Sequence, residues 1–238
     1  MNESVTYDGR DLEVLAEMPN YYNWILHHFQ DHLGGNAIEF GAGSGTISER
    51  LLPYVTSLEL VEPSSNLAQH LREKFEDVEH VNVSSHTLEH RIETAPQEGY
   101  QNVVAVNLLE HIENDLDALK GFWRLLKPGG KLCLFVPALP ALMSQLDREF
   151  GHFRRYSRAG ISELLGAAGF NIVKLRYMDF LGILPWLIVY RWGGSVKFNP
   201  NAVKLYDNVG IPVTRTLENM LTPIVGKNVI AIAEKPAP

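Results

Sequence analysis

The sequence predicts an α/β fold in which helices flank a mostly parallel sheet. From Asn36 onward, short apolar runs typical of strands alternate with segments whose apolar residues recur at helical spacing, as in βαβ units. A glycine-rich turn directly follows the first of these runs, at the position where open α/β sheets bind ligands. The chain of 238 residues is about one and a half times the usual domain length, so we expect a single domain over residues 1–238.

Seven apolar runs have the length and the bounding turn residues of strands. The last two are separated by residues 178–227, called the insertion below. Because loops of that length are uncommon inside a domain, we expect the insertion to contain helices. The predicted strands are Ala37 to Phe40, Ser57 to Val61, His80 to Val83, Asn102 to Leu108, Lys131 to Val136, Asn171 to Tyr177 and Asn228 to Ala233.

Other helices are predicted from apolar spacing and from capping residues. Two precede the first strand, over Asp11 to Met18 and over Asn20 to His32. Further along, Ser157 is a candidate N-cap of a helix that closes at Gly169.

Composition and charge argue against several classes of function. The net charge of −7 repels a phosphate backbone, so we expect no nucleic-acid partner. The single cysteine, Cys133, can form neither an internal disulfide nor a CxxC metal site, and we predict no metal. The first residues lack the basic and apolar regions of a secretory signal, and the longest apolar run, Phe180 to Tyr190, is shorter than the roughly 20 residues of a membrane span. We therefore expect a cytoplasmic protein.

The glycine-rich turn, Glu39 to Gly45, lies between a predicted strand and a predicted helix. Glycines there let backbone N–H groups approach a nucleotide-like ligand closely. Glu62 ends the second predicted strand, 21 residues beyond Gly41, where a carboxylate can accept hydrogen bonds from ribose hydroxyls. This spacing alone does not distinguish a dinucleotide from another adenosine ligand.

Four motifs together resemble class I S-adenosylmethionine-dependent methyltransferases: Glu39 to Gly45, Glu62-Pro63, Asn107 to Ile112, and Leu125 to Gly130. The resemblance implies a seven-stranded sheet of order 3-2-1-4-5-7-6 with an antiparallel seventh strand. It implies S-adenosylmethionine as cofactor and S-adenosylhomocysteine as product. It also divides the chain into a helical cap (1–33), a cofactor-binding core (34–137) and a substrate-side half (138–238).

The resemblance places individual residues against the cofactor. Glu39 and the glycine turn face its methionine part, Glu62 faces the ribose, and the segment after the third strand lies near adenine. In that segment the family commonly has an acidic residue, which His86 or Thr87 replaces here. Tyr21 is also a predicted cofactor-binding residue, because its ring could cover the sulfonium. The alternative is that Tyr21 only packs against the core, as aromatic residues at helical spacing usually do. The predicted cofactor-binding residues are Tyr21, Glu39, Gly41, Ala42, Gly43, Gly45, Glu62, Pro63, His86, Thr87, Leu88, Asn107 and Leu108.

The acceptor side is expected after the fifth strand. Residues 146–157 resemble the Gly-His-Tyr-Arg-Arg-Tyr segment of a bacterial subgroup of these enzymes, with phenylalanine at the first tyrosine. His152 and Tyr156 are predicted catalytic residues, and Arg154 and Arg155 could bind an anionic or carbonyl-bearing substrate. The alternative is that Asp147 and Glu149 pair with Arg148, Arg154 and Arg155 and fix the loop. His111 is the first candidate base, with capping of its turn as the alternative.

These residues favour methyl transfer to an oxygen or nitrogen of a small molecule. An enzyme that uses the same cofactor without methylating, by aminocarboxypropyl transfer or cyclisation, is the alternative from another class, followed by a non-catalytic binding protein. The insertion is expected to cover the substrate, with peripheral membrane contact through residues 180–192 as the alternative. A monomer or homodimer is expected.

Overall fold

The computed structural model of the protein describes residues 17–237 and contains one sheet of seven strands. The strands are β1 (Asn36–Phe40), β2 (Ser57–Val61), β3 (Val81–Ser84), β4 (Tyr100–Val106), β5 (Leu126–Pro137), β6 (Asn171–Met178) and β7 (Asn228–Glu234). Their order is β3-β2-β1-β4-β5-β7-β6. Neighbouring pairs among the first five strands are parallel, whereas β7 is antiparallel to both β5 and β6. The predicted fold class is confirmed.

Helices cover the sheet and fill the insertion. The predicted helix over Asp11 to Met18 lies almost wholly outside the described residues. The second predicted helix is α1, which ends at Phe29 and continues as a 3-10 turn, Gln30–His32. The helices are α1 (Pro19–Phe29), α2 (Ser48–Leu51), α3 (Ser65–Lys74), α4 (Leu88–Thr94), α5 (Asp115–Leu125), α6 (Gln145–Glu149), α7 (Arg158–Ala167), α8 (Ile183–Pro185), α9 (Pro200–Leu205) and α10 (Ile211–Met220), with π-helical turns after α8 and α9.

The sheet is buried on both faces, as parallel strands require. In β5, Leu134 packs on the face covered by α5 and α7, while Phe135 packs on the opposite face. Trp24 and Phe29 of α1 belong to that second face, together with Ile211 of the insertion. Each such buried side chain contributes roughly 1.5–3 kcal/mol of hydrophobic free energy. The N-terminal helix and the insertion therefore share one side of the molecule.

Among the strand ends that differ from the predicted ones, the end of β4 and the start of β5 have local reasons. β4 ends two residues early because Asn107 turns the chain with a φ of 50°, a left-handed conformation that asparagine adopts more readily than most residues. The chain then forms a 3-10 turn, Leu109–His111. β5 begins early, at Leu126, because the residues of the predicted turn before Lys131 also pair, and the Gly129 N–H donates to the Lys235 carbonyl at 2.9 Å.

The insertion holds the start of α1 through one buried carboxylate. Asp207 accepts hydrogen bonds from the backbone N–H groups of Asn20 at 3.1 Å and Tyr21 at 2.9 Å. These are first-turn N–H groups of α1, which lack partners within the helix, and Met18 supplies no side-chain cap. An acid from the insertion thus performs the capping that the local sequence does not. Along residues 17–237 we find no helix with the length and apolarity needed to cross a membrane.

We predict that Asp207→Asn lowers the free energy of unfolding by about 1–3 kcal/mol. The NH2 group of the asparagine would face a backbone N–H and could not accept its hydrogen bond. Urea denaturation followed by circular dichroism measures the change. The exposed Asp77→Asn is the matched control, with no expected effect. Equal stability of Asp207→Asn and the wild type would contradict this capping role.

Candidate active site

A cavity of about 1050 Å³ opens at the carboxyl ends of β1, β4 and β5. Its floor is formed by the turns that follow these strands, and its walls by α1 and the insertion. Open α/β sheets bind ligands at this edge. Among the predicted cofactor-binding residues, those that line the cavity are Tyr21, Glu39, Gly41, Ala42, Gly43 and Asn107.

The glycine turn after β1 has the backbone conformation that its sequence predicts. Gly41, Gly43 and Gly45 have φ values of 73°, 55° and 78°, which side chains disfavour. A Cβ on Gly45 would lie 2.9 Å from Leu71 Cδ2, so this glycine packs against α3 outside the cavity lining. Leu108 packs beneath Gly41, 3.0 Å from the position of a Cβ there. The turn is therefore held between α3 and the segment after β4.

Glu62 at the end of β2 fixes the glycine turn. One carboxylate oxygen accepts from the Gly43 N–H at 2.9 Å and the other from the Ser64 N–H at 3.0 Å. Glu62 is buried and Pro63 is exposed, and neither lines the cavity. Because a carboxylate oxygen can accept more than one hydrogen bond, ribose hydroxyls can still bind to this group.

Glu39 places a buried carboxyl at the cavity wall. The Ser48 hydroxyl donates to it at 2.6 Å. Burial raises the pKa of Glu39 to about 8, with a further contribution from Glu62, while the Ser48 hydrogen bond and Lys74 oppose the shift. A buried acid of this kind has a strong preference for a cationic partner, such as an ammonium group.

The segment after β3 lies apart from the cavity lining. The Ser84 hydroxyl and His86 Nδ1 are 2.9 Å apart, and the His86 ring stacks on His90 with centroids 4.6 Å apart. Thr87 accepts from the His90 N–H at 3.3 Å and caps α4, which begins at Leu88. The role of these residues near adenine stays a prediction.

A polar cluster of Glu110, His111 and His152 forms the floor of the cavity. Glu110 is fully buried, and burial raises its pKa to about 8. His111 is exposed to the cavity, but loss of solvation against the surrounding protein, assisted by neighbouring His152, lowers its pKa to about 4, so this imidazole is neutral at pH 7. The two imidazole rings are nearly perpendicular, with centroids 4.6 Å apart. The lowered pKa makes His111 a weaker base than an ordinary histidine, and its role as the catalytic base stays a prediction.

Asp147 organises the segment that follows β5. Its carboxylate accepts from Ser144 N–H at 2.7 Å, lies 3.0 Å from His152 Nδ1 and pairs with Arg155 at 2.8 Å. Although burial opposes it, these bonds hold the pKa of Asp147 well below its usual range. The Arg155 guanidinium also lies 4.3 Å from the ring centre of Trp186 in the insertion. His152 and Arg155 both line the cavity.

Arg154 and Tyr156 lie away from the cavity lining. Arg154 donates to Asp115 at 2.8 Å and to the Glu113 carbonyl at 2.7 Å. The Tyr156 hydroxyl is 3.0 Å from both Asp115 Oδ2 and the Leu109 carbonyl. Burial is the main cause that raises the pKa of Tyr156, and the negative charge of Asp115 adds to the shift. These contacts support the loop-fixing alternative for both residues.

Two functional features were not among the predicted site residues. Glu110 was part of one motif but was not a predicted site residue, although an acid directly before His111, between the apolar Leu109 and Ile112, was a signal available in the sequence. Lys227 lines the cavity, pairs with Asp179 at 2.9 Å and lies 5.3 Å from the Tyr21 ring centre. No sequence pattern links these residues, because they meet only through the fold.

Comparison with known proteins agrees with this geometry. The family described as "Methyltransferase domain" matches residues 15–175. The ubiquinone biosynthesis O-methyltransferase of Pseudomonas entomophila (strain L48) is 27% identical over 199 residues, covering 76% of this chain and 82% of that protein. A chain in the complex of the Trm112 methyltransferase activator from Haloferax volcanii has a TM-score of 0.69 at 16% identity, covering 96% of this chain and 95% of that one. The N-methyltransferase NodS of Bradyrhizobium japonicum, in complex with S-adenosylhomocysteine, has a TM-score of 0.59 at 13% identity, covering 91% and 86%.

We predict that Tyr156→Phe lowers the free energy of unfolding by about 1–2 kcal/mol, because the buried Asp115 carboxylate loses a donor. Affinity for S-adenosylhomocysteine should stay unchanged, since the hydroxyl lies outside the cavity. Urea denaturation and isothermal titration measure the two quantities, with the exposed Tyr54→Phe as control. A large loss of affinity in a stably folded Tyr156→Phe would show that the residue acts on the ligand.

Proposed function

The chain belongs to the methyltransferase domain family, and we propose that this S-adenosylmethionine-dependent methyltransferase methylates an oxygen of a small, partly apolar acceptor. The observation that carries the proposal is one cavity that joins the glycine turn and Glu39 to the polar cluster and to an apolar wall. Donor and acceptor can therefore share one space. The curated relative named as an O-methyltransferase supports oxygen as the target.

The residues of this chain fit the cofactor. The buried Glu39 carboxyl suits an ammonium group, and the left-handed glycine turn exposes backbone at the cavity wall. Glu62 would hold the ribose, with the adenine directed toward His86 and Leu88. When bound, S-adenosylmethionine supplies an electrophilic methyl group. The protein contributes positioning, which supplies much of the acceleration in such transfers.

The acceptor would lie between the polar cluster and the insertion. The neutral imidazole of His111 can accept a hydrogen bond from an acceptor hydroxyl and orient the oxygen, a task that does not need a strong base. His152 and Arg155 would contribute further polar contacts. An apolar ring or chain would contact Phe150 and, in the insertion, the aromatic and aliphatic residues Trp186, Val189, Tyr190 and Phe198.

The insertion is proposed as a cover over the acceptor. The Trp186 indole N–H donates to the Leu142 carbonyl at 3.1 Å, and the Trp186 ring contacts the Arg155 guanidinium. The cover also has an exposed apolar side, which includes Leu184, Ile188 and Trp192. That side suits peripheral contact with an apolar surface, the alternative for residues 180–192. Closure over the acceptor would exclude water from the transfer.

Product analysis tests the proposed reaction. The chain is incubated with methyl-labelled S-adenosylmethionine and matched sets of phenols, alcohols and amines, and products are separated by mass spectrometry. We expect label on oxygen and formation of S-adenosylhomocysteine. Label on amines alone would contradict oxygen as the target. Methylthioadenosine in place of S-adenosylhomocysteine would support the non-methylating alternative.

We predict that S-adenosylhomocysteine binds more weakly as the pH falls below about 8, by up to about tenfold per pH unit. Glu39 is then mostly protonated in the free chain, and the ligand ammonium requires its carboxylate form. The charged groups that influence Glu39 are Glu62 and Lys74, and Ser48 donates to it.

Titration calorimetry in buffers of different ionisation enthalpy measures this coupling as proton release. Glu39→Gln should bind weakly and without the pH dependence, whereas the exposed Glu76→Gln should behave as wild type. The same pH dependence in Glu39→Gln would assign the effect to another group.

A further inference from the structure

The polar cluster at the cavity floor contains a carboxyl with unusual surroundings. Glu110 is fully buried, and neither carboxyl oxygen has a hydrogen-bond partner within residues 17–237. A buried polar group without a partner costs free energy, so native structures retain few of them. Glu110 is one of the residues that line the cavity, so a ligand there would lie beside it.

Two imidazoles complete the surroundings of this carboxyl. One ligand atom from each of Glu110, His111 and His152 lies within 4.8 Å of the others. Ligands around one ion at about 2.1 Å are roughly 3–4 Å apart, which small side-chain rotations would achieve here. The backbone keeps the three residues together, because the Phe153 N–H donates to the Glu110 carbonyl at 2.8 Å.

Each histidine is oriented by a second partner. His152 Nδ1 is 3.0 Å from the buried carboxylate of Asp147, which leaves Nε2 for a ligand. A carboxylate behind a histidine is the usual outer-shell arrangement of metal-binding imidazoles. His111 bonds through its ring to the Phe150 carbonyl.

We propose that Glu110, His111 and His152 bind a divalent transition-metal ion at the floor of the cavity. Two histidines and one carboxylate suit zinc, iron(II), cobalt(II) or manganese(II), whereas magnesium prefers an all-oxygen shell. Three protein ligands leave coordination positions open, and the cavity is the direction from which they can be filled. The absence of paired cysteines, which led to the prediction of no metal, does not bear on a site of this composition.

The ion also gives the proposed reaction a specific acceptor class. An ion at this position would replace the direct contact between His111 and the acceptor. The ion would itself bind the acceptor hydroxyl and lower its pKa, and a second oxygen beside it would occupy another open position. Acceptors with two adjacent oxygens, at least one a hydroxyl, are therefore favoured. This step rests on the proposed function, whereas the metal site itself does not.

Cobalt(II) is the probe for the site, because its visible absorption reports coordination by nitrogen and oxygen without any need for activity. The tag-free full-length chain is dialysed against a chelator and titrated with cobalt(II) alone. We expect one ion per chain and displacement by zinc. Glu110→Gln and His152→Ala should weaken binding at least about 100-fold, while the exposed His70→Ala should bind as wild type.

Thermal unfolding separates loss of the site from loss of the fold. Without metal, Glu110→Gln should melt at or above the wild-type temperature, because it removes a buried ionisable group, and added cobalt should stabilise only the wild type and His70→Ala. Absent cobalt absorption in the wild type, or equal absorption in a folded Glu110→Gln, would overturn the site. If Glu110→Gln fails to fold, the same comparison with His152→Ala decides.

The outcomes also separate this inference from the proposed function. Cobalt binding without label transfer to any oxygen acceptor would contradict the proposed function and leave the metal site intact. Label transfer to an oxygen acceptor by a wild-type chain that binds no cobalt would overturn the metal site and support the proposed function.

Discussion

The buried carboxylate of Asp147 is the contact on which the acceptor side of the cavity depends. It joins Ser144 at the start of α6, His152 at the polar cluster and Arg155 beneath the insertion. Arg155 is itself buried, so removing its partner would leave an uncompensated charge, a change that commonly costs 3–5 kcal/mol. Arg155 extends the network to Trp186 by stacking. Asp147 therefore determines the path of the loop after β5 and the orientation of the His152 imidazole. Through Arg155 it also determines where the insertion packs.

The donor side is built on a different constraint, the reversal of the chain at the ends of β1 and β4. Gly41 and Asn107 both have left-handed backbones, and Leu108 packs directly beneath Gly41. The two turns place buried acids, Glu39 and Glu110, among the residues that line one cavity. Ser48 donates to Glu39, whereas no described residue donates to the Glu110 side chain. Both positions favour cationic partners, and the difference in their hydrogen bonds suits an organic ammonium at the first and a metal ion at the second.

Much of the fold could be predicted because its signals are local. Apolar runs and turn glycines located the strands, and the four motifs implied the strand order, which the sheet confirms. The position of Glu62 directly after β2 also followed from spacing along one βαβ unit, whereas its hydrogen bond from the Gly43 N–H was not predicted. The capping of α1 by Asp207 could not be predicted, since these residues are far apart in the chain and no pattern joins them. Lys227 near Tyr21 is a similar case.

The segment after β5 shows why a motif does not assign roles residue by residue. Side chains alternate in direction along extended backbone, so Arg154 and Tyr156 lie on the same side and both contact Asp115. Arg155 points the other way, to Asp147 and the cavity. His152 contacts the same Asp147 oxygen as Arg155. The motif thus combines two residues that fix the loop with two that line the cavity, and only the backbone conformation separates them.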